Sequence, residues 1–163
     1  MKIPVYSLIA YSGTGKTTLM VELIKELKKR GLKVAAIKHD AHDFEIDKEG
    51  KDSYRMSKAG SDITVVLSSS KCAFIENRFV DMNKVLERIE GVDLILSEGY
   101  SHGDWKKIGI FRKDSGTTLR INESDCFAIC SDEKLKYSCI QFDLDDYSGL
   151  ASFIIEDLKK NLP

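Results

Sequence analysis

The chain has 163 residues, 42% of them hydrophobic, with 25 Lys and Arg against 26 Asp and Glu for a formal net charge of -1. That is enough apolar material for one domain with its own core, and a single continuous domain over 1–163 is expected. The charge balance leaves no global basic field for a nucleic-acid backbone, and no apolar run reaches membrane-spanning length, so neither nucleic acid nor membrane is an expected partner. The first residues pass straight into a strand-like segment without a hydrophobic signal core, which predicts a cytoplasmic protein. Cys72, Cys126, Cys130 and Cys139 lack paired C-x-x-C spacing and are expected to be buried free thiols in a reducing compartment.

Residues 3–9 form an apolar, β-branched run that stops at a Gly/Ser/Thr-rich turn. Leu19, Met20, Leu23, Ile24 and Leu27 then recur on one helical stripe, closed by the basic turn Lys28-Lys29-Arg30 and by Gly31. A second buried strand covers 34–37. The polar stretch 38–53 has neither strand nor helix periodicity and is long for a connection, which marks it as a functional loop. Further strands are predicted at 63–67, 72–76, 92–96, 108–111, 127–130 and 140–142, and helices near 53–59, 83–89 and 149–161. In the last helix Leu150, Phe153, Ile154, Leu158 and Leu162 form a core-facing stripe. Strands alternating with helices, and apolar on both faces, predict an α/β fold: a three-layer, doubly wound, mostly parallel sheet. The short Ser68-Ser69-Ser70 turn adds one antiparallel hairpin, making the expected sheet mixed.

The segment Ala10-Tyr11-Ser12-Gly13-Thr14-Gly15-Lys16-Thr17 follows the first strand and opens the first helix. In such a phosphate-binding P-loop, glycines let consecutive backbone N–H groups curl around phosphates while the helix N-terminus adds its dipole. Ser12, Gly13, Thr14, Gly15, Lys16, Thr17 and Thr18 are therefore the expected contacts of a nucleoside triphosphate. Lys16 would reach the β- and γ-phosphates, Thr17 would give its hydroxyl to Mg²⁺, and Thr18 would meet the α-phosphate. Ala10 stands where the pattern has Gly, which alters the loop entry and leaves the phosphate-contacting half intact.

An acidic magnesium partner is expected at the end of a neighbouring strand. Asp93 and Glu98 lie about 17 Å apart along an extended segment, so only one can serve. Glu98 falls at the carboxyl end, where ligands of open parallel sheets bind, and is the choice. The loop 38–53 leaves the same rim. Asp40 or Asp43 there could position magnesium or orient a water, and Lys51 or Arg55 could neutralise phosphate charge. His39 and His42 beside these acids are weak evidence for zinc, since two His three apart on a loop do not make a closed site. The guanine-reading N-K-x-D pattern is absent. Asp132 is a candidate for guanine N1 and N2 if its strand lies beside the P-loop strand, a surface turn being the alternative.

These stretches, in one order over about two thirds of the chain, resemble the molybdopterin-guanine dinucleotide biosynthesis protein B (MobB) family. The match is carried by Ser12-Gly13-Thr14-Gly15-Lys16-Thr17-Thr18-Leu19, Lys38-His39-Asp40-Ala41-His42-Asp43-Phe44, Gly50-Lys51-Asp52-Ser53, Glu98-Gly99-Tyr100 and Lys107-Ile108 before Phe111-Arg112. The resemblance implies a homodimeric P-loop protein binding GTP and Mg²⁺ with slow intrinsic GTPase activity. It would act as an accessory or adaptor to the molybdopterin guanylyltransferase and other molybdenum cofactor biosynthesis proteins. Two other readings remain. One is a P-loop small-molecule kinase, although Arg78, Arg88, Arg112 and Arg120 are scattered rather than gathered on a lid. The other is a scaffold in which nucleotide is structural.

Overall fold

The computed structural model describes residues 3–40, 44–115 and 118–160. Its elements run β1 (Val5–Ile9), α1 (Lys16–Lys29), β2 (Val34–Lys38), α2 (Asp52–Lys58), β3 (Ile63–Leu67), β4 (Cys72–Glu76), α3 (Met82–Glu87), β5 (Leu94–Glu98), β6 (Lys106–Phe111), β7 (Cys126–Ser131), β8 (Ile140–Phe142) and α4 (Tyr147–Lys160). Every strand and helix expected from periodicity is present, with ends displaced by at most a few residues. The chain groups into two compact units, one of residues 1–41 with 91–163 and one of residues 42–90.

The first unit is built on a six-stranded sheet of order β2-β5-β1-β6-β7-β8. Each neighbouring pair is parallel. Its central strands are buried on both faces, as a parallel sheet requires. On one face Leu19, Met20, Leu23 and Leu27 of α1 and Leu150, Ala151 and Ile154 of α4 close over Tyr6, Leu8, Leu94, Leu96, Ile108 and Ile110. The predicted stripes of both helices are thus core-facing, while Leu162 lies outside the described residues. Gly31, at φ 84, turns the chain out of α1 while its N–H and that of Leu32 cap carbonyls of the last turn. On the opposite face the segment 119–122 packs so closely on β6 that a Cβ at Gly109 would stand 3.0 Å from both Ile121 Cγ2 and Leu119 Cδ1.

The second unit holds α2, the hairpin β3–β4 and α3. The hairpin is antiparallel, as its serine turn predicts, but it forms a two-stranded sheet of its own. The main sheet is therefore wholly parallel rather than mixed. A tight turn, closed by Ser68 N–H on Lys71 O at 2.8 Å, pairs only the two strands it joins. The face carrying Ile63, Val65, Leu67, Cys72 and Phe74 is exposed, with Leu67 75% and Phe74 70% accessible.

The cysteine expectation is corrected in three of four positions. Cys130 is a buried free thiol, and burial pushes its pKa up to about 12. Cys72 is free but exposed. Cys126 and Cys139 form a disulfide, with Cα atoms 6.2 Å apart. The parallel pairing of β7 with β8 brings the starts of the two strands together, a proximity no local spacing encodes.

At the amino end of the sheet, Tyr6 donates to Asp157 Oδ2 at 2.5 Å, and Lys106 forms an ion pair with the same carboxylate. This cluster fastens α4 to β1 and β6. Burial and the Asp157 carboxylate raise the Tyr6 pKa well above its ordinary value. The neutral phenol is the stabilising form, so its contribution is complete below about pH 10 and is lost as pH rises beyond that. Tyr6→Phe is expected to lower the unfolding free energy by about 1.5–3 kcal/mol. Urea unfolding of wild type and variant should converge as pH climbs above about 10, and an unchanged gap would contradict the assignment.

Candidate functional site

The loop between β1 and α1 has the backbone that phosphate binding demands. Gly13 and Gly15 take φ of 80 and 96, a left-handed geometry that a side chain would strain. Gly15 is the N-cap of α1, with no side-chain cap and no acidic residue in the first turn, so the helix presents uncapped N–H donors. Thr14 is buried and donates its hydroxyl to Tyr11 O at 2.8 Å, pinning the loop. The substitution at Ala10 is accommodated at a buried position without positive φ.

Lys16 curls back over this loop, donating to Ala10 O at 3.0 Å and Tyr11 O at 2.7 Å. Burial lowers its pKa; the Glu98 carboxylate opposes that shift and Arg120 adds to it. Thr17 donates its hydroxyl to the Glu98 carboxylate, 2.9 Å from Oε1 and 3.1 Å from Oε2. Glu98 is only 8% exposed and sits at the last position of β5, in register with Leu8 of β1 and Lys38 of β2. Asp93 is at the other end of that strand, where its carboxylate accepts from Lys33 N–H at 2.6 Å. Of the two acids weighed from sequence, Glu98 alone reaches the loop. Ser12 and Thr18 are exposed on the same loop and first turn.

The chain leaves β5 through Gly99, whose φ is 87 and whose absent Cβ would stand 2.3 Å from His39 O. His39 N–H in turn donates to Glu98 O at 2.8 Å. This close approach holds the ends of β2 and β5 together, so that Asp40, one residue further, emerges on the rim that carries Glu98. The rings of His39 and Trp105 flank Tyr100 at 5.2 and 5.1 Å. His42 and Asp43 lie outside the described residues. Lys51 and Arg55 belong to the second unit, where Arg55 lies 3.8 Å from Asp52.

The condition set for Asp132 is not met. β6 separates β7 from β1, and the Asp132 carboxylate accepts from Lys113 N–H at 2.9 Å.

Sequence reasoning treated the arginines as scattered, yet two of them come to the loop. Arg112, directly after β6, has a guanidinium nitrogen 3.8 Å from the Cβ position of Gly15, and Arg120 lies over the Tyr11 ring at 5.6 Å. For Arg112 the signal was present, since it follows a buried strand at the ligand-binding edge. Arg78 and Arg88 instead pair with Glu76 in the second unit.

The donor set fits a magnesium nucleotide: glycine-shaped N–H groups and Lys16 for phosphate, and a hydroxyl beside a carboxylate as hard oxygen ligands for the cation. The profile of a family described as "Molybdopterin guanine dinucleotide synthesis protein B" matches residues 5–132. The chain belongs to the MobB family. A relative from Escherichia coli K12, "Molybdopterin-guanine dinucleotide biosynthesis adapter protein", is 37% identical over 97% of this chain and 95% of its own. A protein of the same description from Haemophilus influenzae is 31% identical over 94% and 88%. Among solved structures, one titled molybdopterin-guanine biosynthesis protein B superposes with TM-score 0.72 at 25% identity, covering 95% of this chain and 99% of that one. Bacillus subtilis MobB superposes with TM-score 0.76 at 23% identity over 94% and 96%, a likeness of fold. The architecture is the P-loop NTPase fold of MobB proteins.

Gly99→Ala combines a positive φ with a backbone clash and is expected to cost about 1–3 kcal/mol of stability. Thermal or urea unfolding measures it, and a midpoint equal to wild type would show that the β2–β5 junction does not depend on the close approach.

Proposed function

We propose that this MobB-family chain is a GTP-binding adaptor in molybdopterin guanine dinucleotide formation, with slow magnesium-dependent GTP hydrolysis. The role in molybdenum cofactor biosynthesis follows from the family. The nucleotide part rests on one observation: the Thr17 hydroxyl meets the buried Glu98 carboxylate at the mouth of a glycine-shaped loop. In this reading Lys16 exchanges its bonds to Ala10 O and Tyr11 O for phosphate oxygens. Thr17 and Glu98 hold Mg²⁺, which supplies neutralisation of phosphate charge, and Thr18 contacts the α-phosphate. Asp40 and Asp43 orient the attacking water or the cation's water shell. The partner is the guanylyltransferase that joins GMP to the pterin; this chain presents nucleotide and carries out no transfer itself. Among the described residues no helix is long and apolar enough to cross a membrane.

Calorimetry tests the nucleotide assignment. GTP with Mg²⁺ should bind saturably, and Lys16→Ala should weaken it by more than about tenfold, or 1.4 kcal/mol. ATP binding as tight as GTP would overturn the guanine preference.

The homodimer is proposed on the exposed face of the hairpin. Ile63, Val65, Leu67, Cys72 and Phe74 form an apolar surface bounded at one end by Glu76, which is paired with Arg78 and Arg88, and an isolated two-stranded sheet is marginal in water. The one carboxylate on this face is neutralised within its own unit, so the apolar patch can meet its own copy without strong like-charge repulsion, as a two-fold interface requires. Sedimentation should give a dimer that Phe74→Asp converts to monomer while circular dichroism is retained. A monomeric wild type would sink the assignment.

A further inference from the structure

A cavity of about 320 Å³ lies on the sheet face opposite α1 and α4, separate from the nucleotide loop. Ile9, Leu119 and Ile121 form an apolar wall, and Lys107 and Arg120 bring two cations to its lining. The one carboxylate there, Asp125, is already engaged 3.1 Å from Lys107 Nζ, and that ammonium holds its pKa below the usual carboxylate value. Lys107 and Asp125 cancel, which leaves Arg120 to set the sign. Among the described residues Arg120 makes no ion pair with a carboxylate; its guanidinium rests on the Tyr11 ring. A volume in the range of small-molecule sites, an apolar wall and one uncompensated fork of donors are the marks of a site for an organic anion.

We propose that this cavity binds a small organic anion, an apolar body carrying a carboxylate or phosphate group, with the anionic group on Arg120 and the body against Ile9, Leu119 and Ile121. The proposal goes beyond the nucleotide reading and rests on it only in treating the neighbouring loop as occupied by a second ligand. Ile9 immediately precedes the loop and Arg120 touches Tyr11 within it, so the two sites share a wall. A ligand that draws Arg120 off Tyr11 also removes a positive charge from beside Lys16. The two occupants are therefore coupled through one side chain.

The test is a chemical-shift titration of isotope-labelled full-length chain, with and without saturating magnesium GTP, using sodium benzoate, phenyl phosphate and neutral benzamide as probes. Saturable shifts centred on Ile9, Leu119 and Ile121 are expected for at least one anion, with benzamide weaker by about fivefold or more. Comparison of the two anions tells carboxylate from phosphate. Leu119→Trp, which fills the cavity, should weaken the anion about tenfold while GTP affinity measured by calorimetry stays unchanged. If that variant fails to fold, Arg120→Gln on the exposed rim decides, with the same loss expected. Shifts confined to residues 10–18, benzamide binding as well as the anions, or undiminished binding in a folded variant would overturn the proposal. Failure of GTP binding in calorimetry bears on the nucleotide reading alone.

Discussion

The contact from Thr17 to Glu98 is the interaction on which the site depends, because it joins the first turn of α1 to the last residue of β5 across a gap the sequence leaves wide open. It exists only because β1 and β5 are hydrogen-bonded neighbours in a register that sets Leu8 against Glu98. A buried carboxylate is costly to desolvate without partners. Here the hydroxyl, and the backbone bridge from His39 to Glu98 O, hold the strand end in place. Parallel pairing, a close glycine and a short hydroxyl contact thus converge on one carboxyl group.

Much of this was legible from local pattern. A buried strand, a glycine turn and a helix with Leu19, Leu23 and Leu27 on one face carry their own periodicity, and they appear where that periodicity puts them. Glu98 was separable from Asp93 by the general placement of ligands at carboxyl ends, and Asp93 turns out to clamp the other end of the strand. What stayed hidden was everything that depends on strand order. Asp132 was judged on an adjacency to β1 that β6 prevents. Arg112 and Arg120 gather at the loop only once β6 and the segment beyond it are laid beside β1. The Cys126–Cys139 pair depends in the same way on β8 joining β7. The hairpin was foreseen from its serine turn, but its separation from the main sheet was not, since a turn fixes its own two strands and says nothing of what lies next to them.

Opposing electrostatic influences meet at Lys16. Burial already disfavours the ammonium of Lys16, and Arg120 presses in the same direction while Glu98 opposes it. An anion entering this setting offsets the burial and the Arg120 charge that disfavour the Lys16 ammonium, so the loop favours an anionic group in a way that its sequence string alone does not convey.

The placement of residues 42–90 between β2 and β5 bears on how the chain acquires its structure. β5 pairs in parallel with both β2 and β1, so Glu98 reaches the loop only when β5 docks with the whole unit 42–90 intervening in the chain. Closure entropy grows only by about 0.6 kcal/mol per doubling of length, and it falls further if the inserted unit condenses first and shortens the effective span. The hairpin, with its local pairing, is suited to form early. The contact of Thr17 with Glu98 therefore depends on a pairing of distant segments and not on the glycine loop alone.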